Sequence, residues 1–159
     1  HQGIDSTLMI LGYRLKASSD RPGIEVIKNY GNLPLLMCYG GQMNQVFMNI
    51  LSNAIDELEQ AIKVQKNFTP YITIQTEVVD SKQVIIRIVD NGLGIPEDTQ
   101  KRIFEPLFTT KPVGMGTGLG LAISYQIVKE KHHGSLKCIS QPGQGAEFVI
   151  AIPILSSRD

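Results

Sequence analysis

The sequence has no surplus of either charge: fifteen Lys and Arg residues balance fifteen Asp and Glu. A chain without a net field is poorly suited to follow a nucleic-acid backbone or an anionic bilayer, so neither nucleic acid nor direct membrane contact is expected. Cysteine is scarce. Cys38 and Cys138 each sit in an apolar, strand-like run, where buried free thiols are expected rather than a disulfide. Long hydrophobic runs are missing: no stretch reaches the roughly 18 apolar residues of a membrane span, and no signal peptide opens the chain. There is no internal repeat and no low-complexity tract. The chain opens on His1 rather than Met, and a piece of a longer protein is expected. Its 159 residues, 42% hydrophobic and 19% charged, fit one globular domain over 1–159 with a real core.

Hydrophobic spacing predicts a first helix over about 4–16, from Ile4, Leu8, Leu11 and Leu15. "SSDRPG" ends it, and "IEVIKNY" and "LLMCY" read as strands. The longest helical pattern runs over about 42–64. Phe47, Ile50, Leu51, Ala54, Leu58, Ala61 and Ile62 form its apolar stripe. Asn49, Asn53 and Asp56 fall in one band opposite the stripe. A solvated face is the ordinary reading of such a band, but asparagine is a weak helix former and an odd choice for one. "YITIQTEVV" and "QVIIRIVD" alternate and form a hairpin across "DSK". A short helix follows Pro96, and "GLGLAISYQIVKEKH" predicts another that stops at Gly134. His132 and His133 cap that helix rather than bind metal. "SLKCIS" and "AEFVIAIPI" are strands around "QPGQG". Mixed helices and hairpins point to an antiparallel or mixed sheet with helices on one face.

Glycines cluster twice, at Gly92 and Gly94 and from Gly114 to Gly120. No lysine follows them as a P-loop requires, and Leu119 or Leu121 stands where a dinucleotide fingerprint needs its third glycine. A glycine loop running into a helix at about Leu119 can still admit a polyphosphate to the helix's free N–H groups; a flexible surface loop is the alternative. "DNGLGI" closes a strand with a carboxylate and two glycines. A purine can lie on the glycine backbone while Asp90 accepts its exocyclic amine, although a plain Asp-Asn-Gly turn reads equally well. The amide oxygens of Asn49 and Asn53 suit Mg²⁺. Together these make an ATP site in three parts.

The four strings that carry these residues resemble the boxes of the catalytic, ATP-binding domain of sensor histidine kinases. That family belongs to the Bergerat-fold superfamily of gyrase, chaperone, histidine kinase and mismatch-repair ATPases. "NILSNAID" resembles the N box, "DNGLGI" the first G box, "FEPLFTTK" the F box and "GMGTGLGL" the second G box. The resemblance implies an α/β two-layer sandwich with a mixed, mostly antiparallel sheet and about three main helices on one face. It implies Asn49, Asn53 and Lys111 as catalytic residues, with Asn49 and Asn53 as metal ligands. Asp90, Gly92, Gly94, Ile95, Phe104, Gly116, Thr117, Gly118, Leu119 and Gly120, together with Asn53, are implied as nucleotide contacts. Residues 104–118 would form the lid, with Lys111 reaching the phosphates and Phe104 and Phe108 serving as hinge and lid packing.

The implied activity is transfer of the ATP γ-phosphoryl group to a histidine on a separate dimerisation domain. The implied partners are ATP with Mg²⁺, that domain and a response regulator, in the cytoplasm, with a parent protein free or membrane-anchored. The alternatives are a stand-alone ATPase of the same fold and a nucleotide sensor without chemistry. Such ATPases carry Glu at the first N-box place, where this chain has Asn49. Two positions depart from the family. Ala146 replaces a frequent threonine whose hydroxyl supports the adenine acid, so that bond is expected to be missing or made by water. Asp56 stands where many relatives carry lysine, and is expected to hold the helix or to sit near the metal.

Overall fold

The computed structural model describes residues 1–17, 22–33, 40–65, 67–106 and 120–154. Five strands make one sheet: β1 (Glu25–Tyr30), β2 (Tyr71–Val79), β3 (Gln83–Asp90), β4 (Ser135–Ser140) and β5 (Ala146–Pro153), in the spatial order β1-β2-β3-β5-β4. Only β1 and β2 run parallel; the other pairs are antiparallel. The sheet is therefore mixed and mostly antiparallel, as expected. The β2–β3 hairpin keeps Ile74 opposite Ile88 and Ile72 opposite Asp90. Its turn places Asp80 and Ser81 both at φ 55°, the backbone of a twist-compatible hairpin turn.

The helices are α1 (Gln2–Ile10), α2 (Gly12–Leu15), α3 (Gly40–Val64), α4 (Glu97–Gln100) and α5 (Gly120–Gln126). α3 is the floor of the molecule. Val46, Ile50, Leu51, Ala54, Ile55, Leu58 and Ala61 are all within 1% of full burial. All of these but Ala61 join the inward residues of the sheet, among them Ile72, Ile74, Val84, Ile88, Phe148 and Ile150, in one core. α1 and α5 both pack against α3, giving two layers with the helices on one side. Asp5 of α1 accepts hydrogen bonds from Lys28 Nζ and Tyr30 Oη of β1, both at 2.8 Å.

Two helices differ from the spacing. The first is broken: Leu11 takes φ −83° and ψ 1°, and a tighter bond from Arg14 N–H to Leu11 O (2.9 Å) opens a new turn at Gly12. The break frees Arg14 to reach α3. The helix after Gly120 is α-helical only to Gln126 and then widens into a π-turn over Ile127–Lys131. His132 Nδ1 lies 2.9 Å from Ile127 O, His133 takes φ 56°, and Gly134 N–H returns to Val128 O. The two histidines thus close the helix, as expected. A side chain at Gly134 would meet Ala151 O at 2.0 Å, so close strand contact demands glycine there. The strand expected at "LLMCY", with Cys38 in it, lies outside the described residues. Cys138 is a free, half-buried thiol.

Ile50→Ala and Leu58→Ala each empty a position that is 0% exposed and should cost about 2–5 kcal/mol. Met9→Ala, at a position 82% exposed, should stay within about 0.5 kcal/mol. Urea unfolding measures all three, and comparable losses would show that α3 does not carry the core.

Candidate functional site

Asp90 ends β3 in the middle of the sheet, on the helix-facing side, and is 3% exposed. Its Oδ1 accepts the Gly92 N–H at 2.9 Å, and its carboxylate also accepts the backbone N–H of Ala146. Burial pushes its pKa up to about 6; the Glu57 charge adds to the rise, and the two N–H donors oppose it. Ala146 has no side-chain hydroxyl, so its contribution to the carboxylate is this backbone donor alone.

The turn after Asp90 is fastened on both sides. Asn91 Nδ2 donates to Thr69 O at 2.9 Å, and Tyr71 N–H donates to Asn91 Oδ1 at 2.8 Å. On the other side, Gly143 N–H reaches Leu93 O, and Ile95 N–H reaches Ser140 Oγ at 2.7 Å. Gln100 Nε2 bridges Ile95 O and Ser140 O, each at 2.7 Å. Gly94 takes φ +83°, and a side chain there would meet Gln141 O at 2.3 Å. Its glycine is demanded by this fastening. Gly92 is different: a Cβ would lie 3.0 Å from Asp90 Oδ1 and 3.4 Å from Glu57 O. Glycine there keeps the acid uncrowded. Ile95 is 7% exposed and joins the core.

α3 brings Asn49 and Asn53 to this layer one turn apart. Asn49 Nδ2 donates to Gly120 O at 3.0 Å and to Ser124 Oγ at 3.1 Å. Asn53 is half-buried, and among the described residues its amide has no hydrogen-bond partner. Asp56 pairs with Arg14, which also meets Glu59 at 3.3 Å. Asp56 thus holds α2 on α3, the first of its two expected roles. Phe104 packs against Tyr125 at 5.3 Å and against Phe148 at 6.4 Å. Lys111, Gly116, Thr117, Gly118 and Leu119, with Phe108 and the rest of the lid beyond Pro106, lie outside the described residues. Gly120 opens α5 and has only ordinary-range neighbours in Asn49.

The sequence reading missed Glu57, Asn91, Gln100, Ser124 and Ser140. Ser124 and Ser140 carried a faint signal, each a small polar residue at an inward-facing place. A shallow depression of about 290 Å³, bordered by Val89, Ile139, Gln144 and Glu147, includes none of the motif side chains.

A buried acceptor, a fastened glycine turn and a helix presenting two amides define a nucleotide-binding α/β sandwich. Residues 40–156 match the family described as histidine kinase-, DNA gyrase B-, and HSP90-like ATPase. The chain is 34% identical over 153 residues to sporulation kinase E of Bacillus subtilis (strain 168), covering 96% of this chain and 19% of that kinase. It is 42% identical over 112 residues to signal transduction histidine-protein kinase AtoS of Escherichia coli (strain K12), covering 70% of this chain and 17% of that one. The catalytic domain of histidine kinase ThkA superposes with a TM-score of 0.77 at 25% identity, covering 96% of this chain and 92% of that one. The chain belongs to the histidine kinase-, DNA gyrase B-, and HSP90-like ATPase family, as an ATP-binding catalytic domain of the histidine-kinase kind. It spans less than a fifth of the length of the two kinases named above.

The Asp90 carboxyl is a strong acceptor only when ionised, and its pKa stands at about 6. ATP affinity should therefore rise as pH climbs through about 6. The groups facing Asp90 are Glu57 from α3 and the Cys138 thiol from β4, itself pushed up to about 12 by burial and by the Asp90 charge. Asp90→Asn should bind ATP at least about tenfold more weakly and lose this pH step. Calorimetry on both forms from pH 5 to 8, read as a difference to cancel titration of the nucleotide, checks it. Parallel profiles would remove Asp90 from the site.

Proposed function

We propose that this chain is the Mg²⁺–ATP-binding part of a two-component sensor histidine kinase. It passes the γ-phosphoryl group to a histidine on a separate helical dimerisation domain, from which a response regulator is served. One observation carries the reading: the first N-box place holds Asn49, whose amide is fastened to α5, where a water-activating glutamate would stand in an ATPase. An amide is no base at neutral pH. A neutral imidazole needs none to attack, because one ring nitrogen already carries a lone pair. A P–N bond forms as the bridging P–O bond breaks and ADP leaves.

The residues present fit a hard cation held with phosphates. Among the described residues no three His, Cys, Asp or Glu side chains converge on a metal, which leaves the amide oxygens of Asn53 and Asn49. Mg²⁺ accepts such a sparse set because it keeps waters and phosphate oxygens as its other ligands; when bound, it neutralises phosphate charge. Asp90 selects the base, Gly92 gives it room, and Lys111 is assigned to the phosphates. Positioning and charge neutralisation supply the rate. Among the described residues no helix is long and apolar enough to cross a membrane; a cytoplasmic location is part of this reading.

Mixing experiments test it. The chain alone should bind ATP, hydrolyse it very slowly and carry no acid-labile label on His1, His132 or His133. Added to the helical domain of its parent, it should label that domain's histidine. Rapid turnover by the chain alone would favour the stand-alone ATPase. Asn53→Ala should stay folded and lose the Mg²⁺-dependent share of ATP-analogue binding. Equal Mg²⁺ dependence in both proteins would take Asn53 away from the metal.

A further inference from the structure

Ser124 is fully buried, at 0% exposure, on the inner side of α5. A lone hydroxyl in such a place needs partners, and it has two. Its Oγ donates its single hydrogen to Gly120 O at 2.9 Å. Toward Asn49 it can then only accept, and it does so at 3.1 Å. Gly120 O, the other atom that α5 presents to Asn49, is a carbonyl and also only accepts, at 3.0 Å. Two acceptors facing one amide leave a single orientation. Both Nδ2 hydrogens are used on α5, and Oδ1 is the atom left over. Without the hydroxyl, one of the two amide hydrogens loses its acceptor and Gly120 O alone is left to hold the orientation, so the amide is fixed less firmly.

We propose that Ser124 is a positioning residue for the nucleotide site: it holds Asn49 as an acceptor-only group, so that Asn49 serves a cation or its water and cannot donate to a phosphate. The two bonds from Asn49 tie the second G box, where it enters α5, to the N box on α3. A ligand taken up at Asn49 Oδ1 and one contacting the Gly120 turn therefore act on one unit. This rests on the reading of the site as Mg²⁺–ATP-binding, and it assigns Asn49 a narrower role within it.

The test uses the 159-residue chain with ¹⁵N-labelled asparagine and no nucleotide. In the parent, the Asn49 side-chain amide should give one sharp, slowly exchanging pair of signals. In Ser124→Ala it should broaden or double and exchange about tenfold faster or more. Ser124→Cys keeps the volume while offering a weak acceptor, so it should behave like Ser124→Ala even where its melting temperature matches the parent. With an ATP analogue, the gain in affinity on adding Mg²⁺ should shrink about threefold to tenfold in both variants, the loss expected for one buried hydrogen bond. Metal-free affinity should change little. An unaltered Asn49 signal, or an unaltered Mg²⁺ gain in folded variants, overturns the positioning role. A parent chain that binds the analogue without any Mg²⁺ gain instead overturns the reading of the site on which this role rests.

Discussion

A carboxylate buried at the end of the central strand is the constraint around which this protein is arranged. Asp90 is lifted from an ordinary 3.8 to about 6, a penalty on its ionised form on the order of 3 kcal/mol. The folded protein binds that proton more tightly than the unfolded chain does. Asp90 therefore costs stability progressively as pH rises from about 4 to about 6, and the cost stays in place at neutral pH. Two backbone N–H groups offset only part of it, and Glu57 works against them. What is left is an acceptor short of donors. A charge-assisted hydrogen bond returns about 1.5–3 kcal/mol, so on the proposed reading an arriving exocyclic amine recovers much of what folding gave up. The structure around Asp90 follows from this. An under-solvated acid is useful only if it cannot swing away, and the bonds of Asn91, Ser140 and Gln100 hold its turn from both sides.

α3 lets one helix serve as core and as site. Its apolar stripe fills the space under the sheet, and its polar band is covered rather than solvated. Asn49 meets α5 and Asp56 meets Arg14 of α2. Partly buried ion pairs add little net stability by themselves. Their effect here is to set the angle at which α2 lies, and the break at Leu11 is what brings Arg14 within reach. Asn53, between these two fastened residues, keeps an amide that no described residue uses. A rigid helix with an uncommitted amide suits a ligand site better than a mobile loop would.

The strands, the long helix and the acid–glycine turn were legible because they rest on period and on local backbone chemistry. The alternation in "QVIIRIVD" fixes which residues face inward, and so puts Asp90 on the helix side. Other features were not legible because they depend on pairs distant in sequence. Ser140 meets Ile95 across 45 residues and Ser124 meets Asn49 across 75; locally each serine is marked only as a small polar residue at an inward-facing place. The break at Leu11 likewise goes with a distant pair, Arg14 and Asp56, against a spacing that favours one continuous helix. Gly92 and Gly94 look alike as letters yet differ in cause. One spares room beside a carboxylate, while the other takes a backbone angle and a close approach that a side chain forbids.

The use made of Asn49 also bears on why such a site spares ATP from water. A base at this place would need a lone pair basic enough to take a proton and freedom to follow the attacking oxygen. The amide has neither. Its nitrogen is committed to Gly120 and Ser124, and its oxygen is too weakly basic to hold a proton at neutral pH. On the proposed reading, water held near the phosphates meets charge neutralisation without an acceptor for its proton, and attack stalls. An imidazole arriving from another domain brings its own nucleophilic lone pair and meets the same neutralised phosphate without that deficit. Selectivity for histidine over water would then arise from what the N box omits, and the buried contact with α5 is what keeps the amide from being anything else.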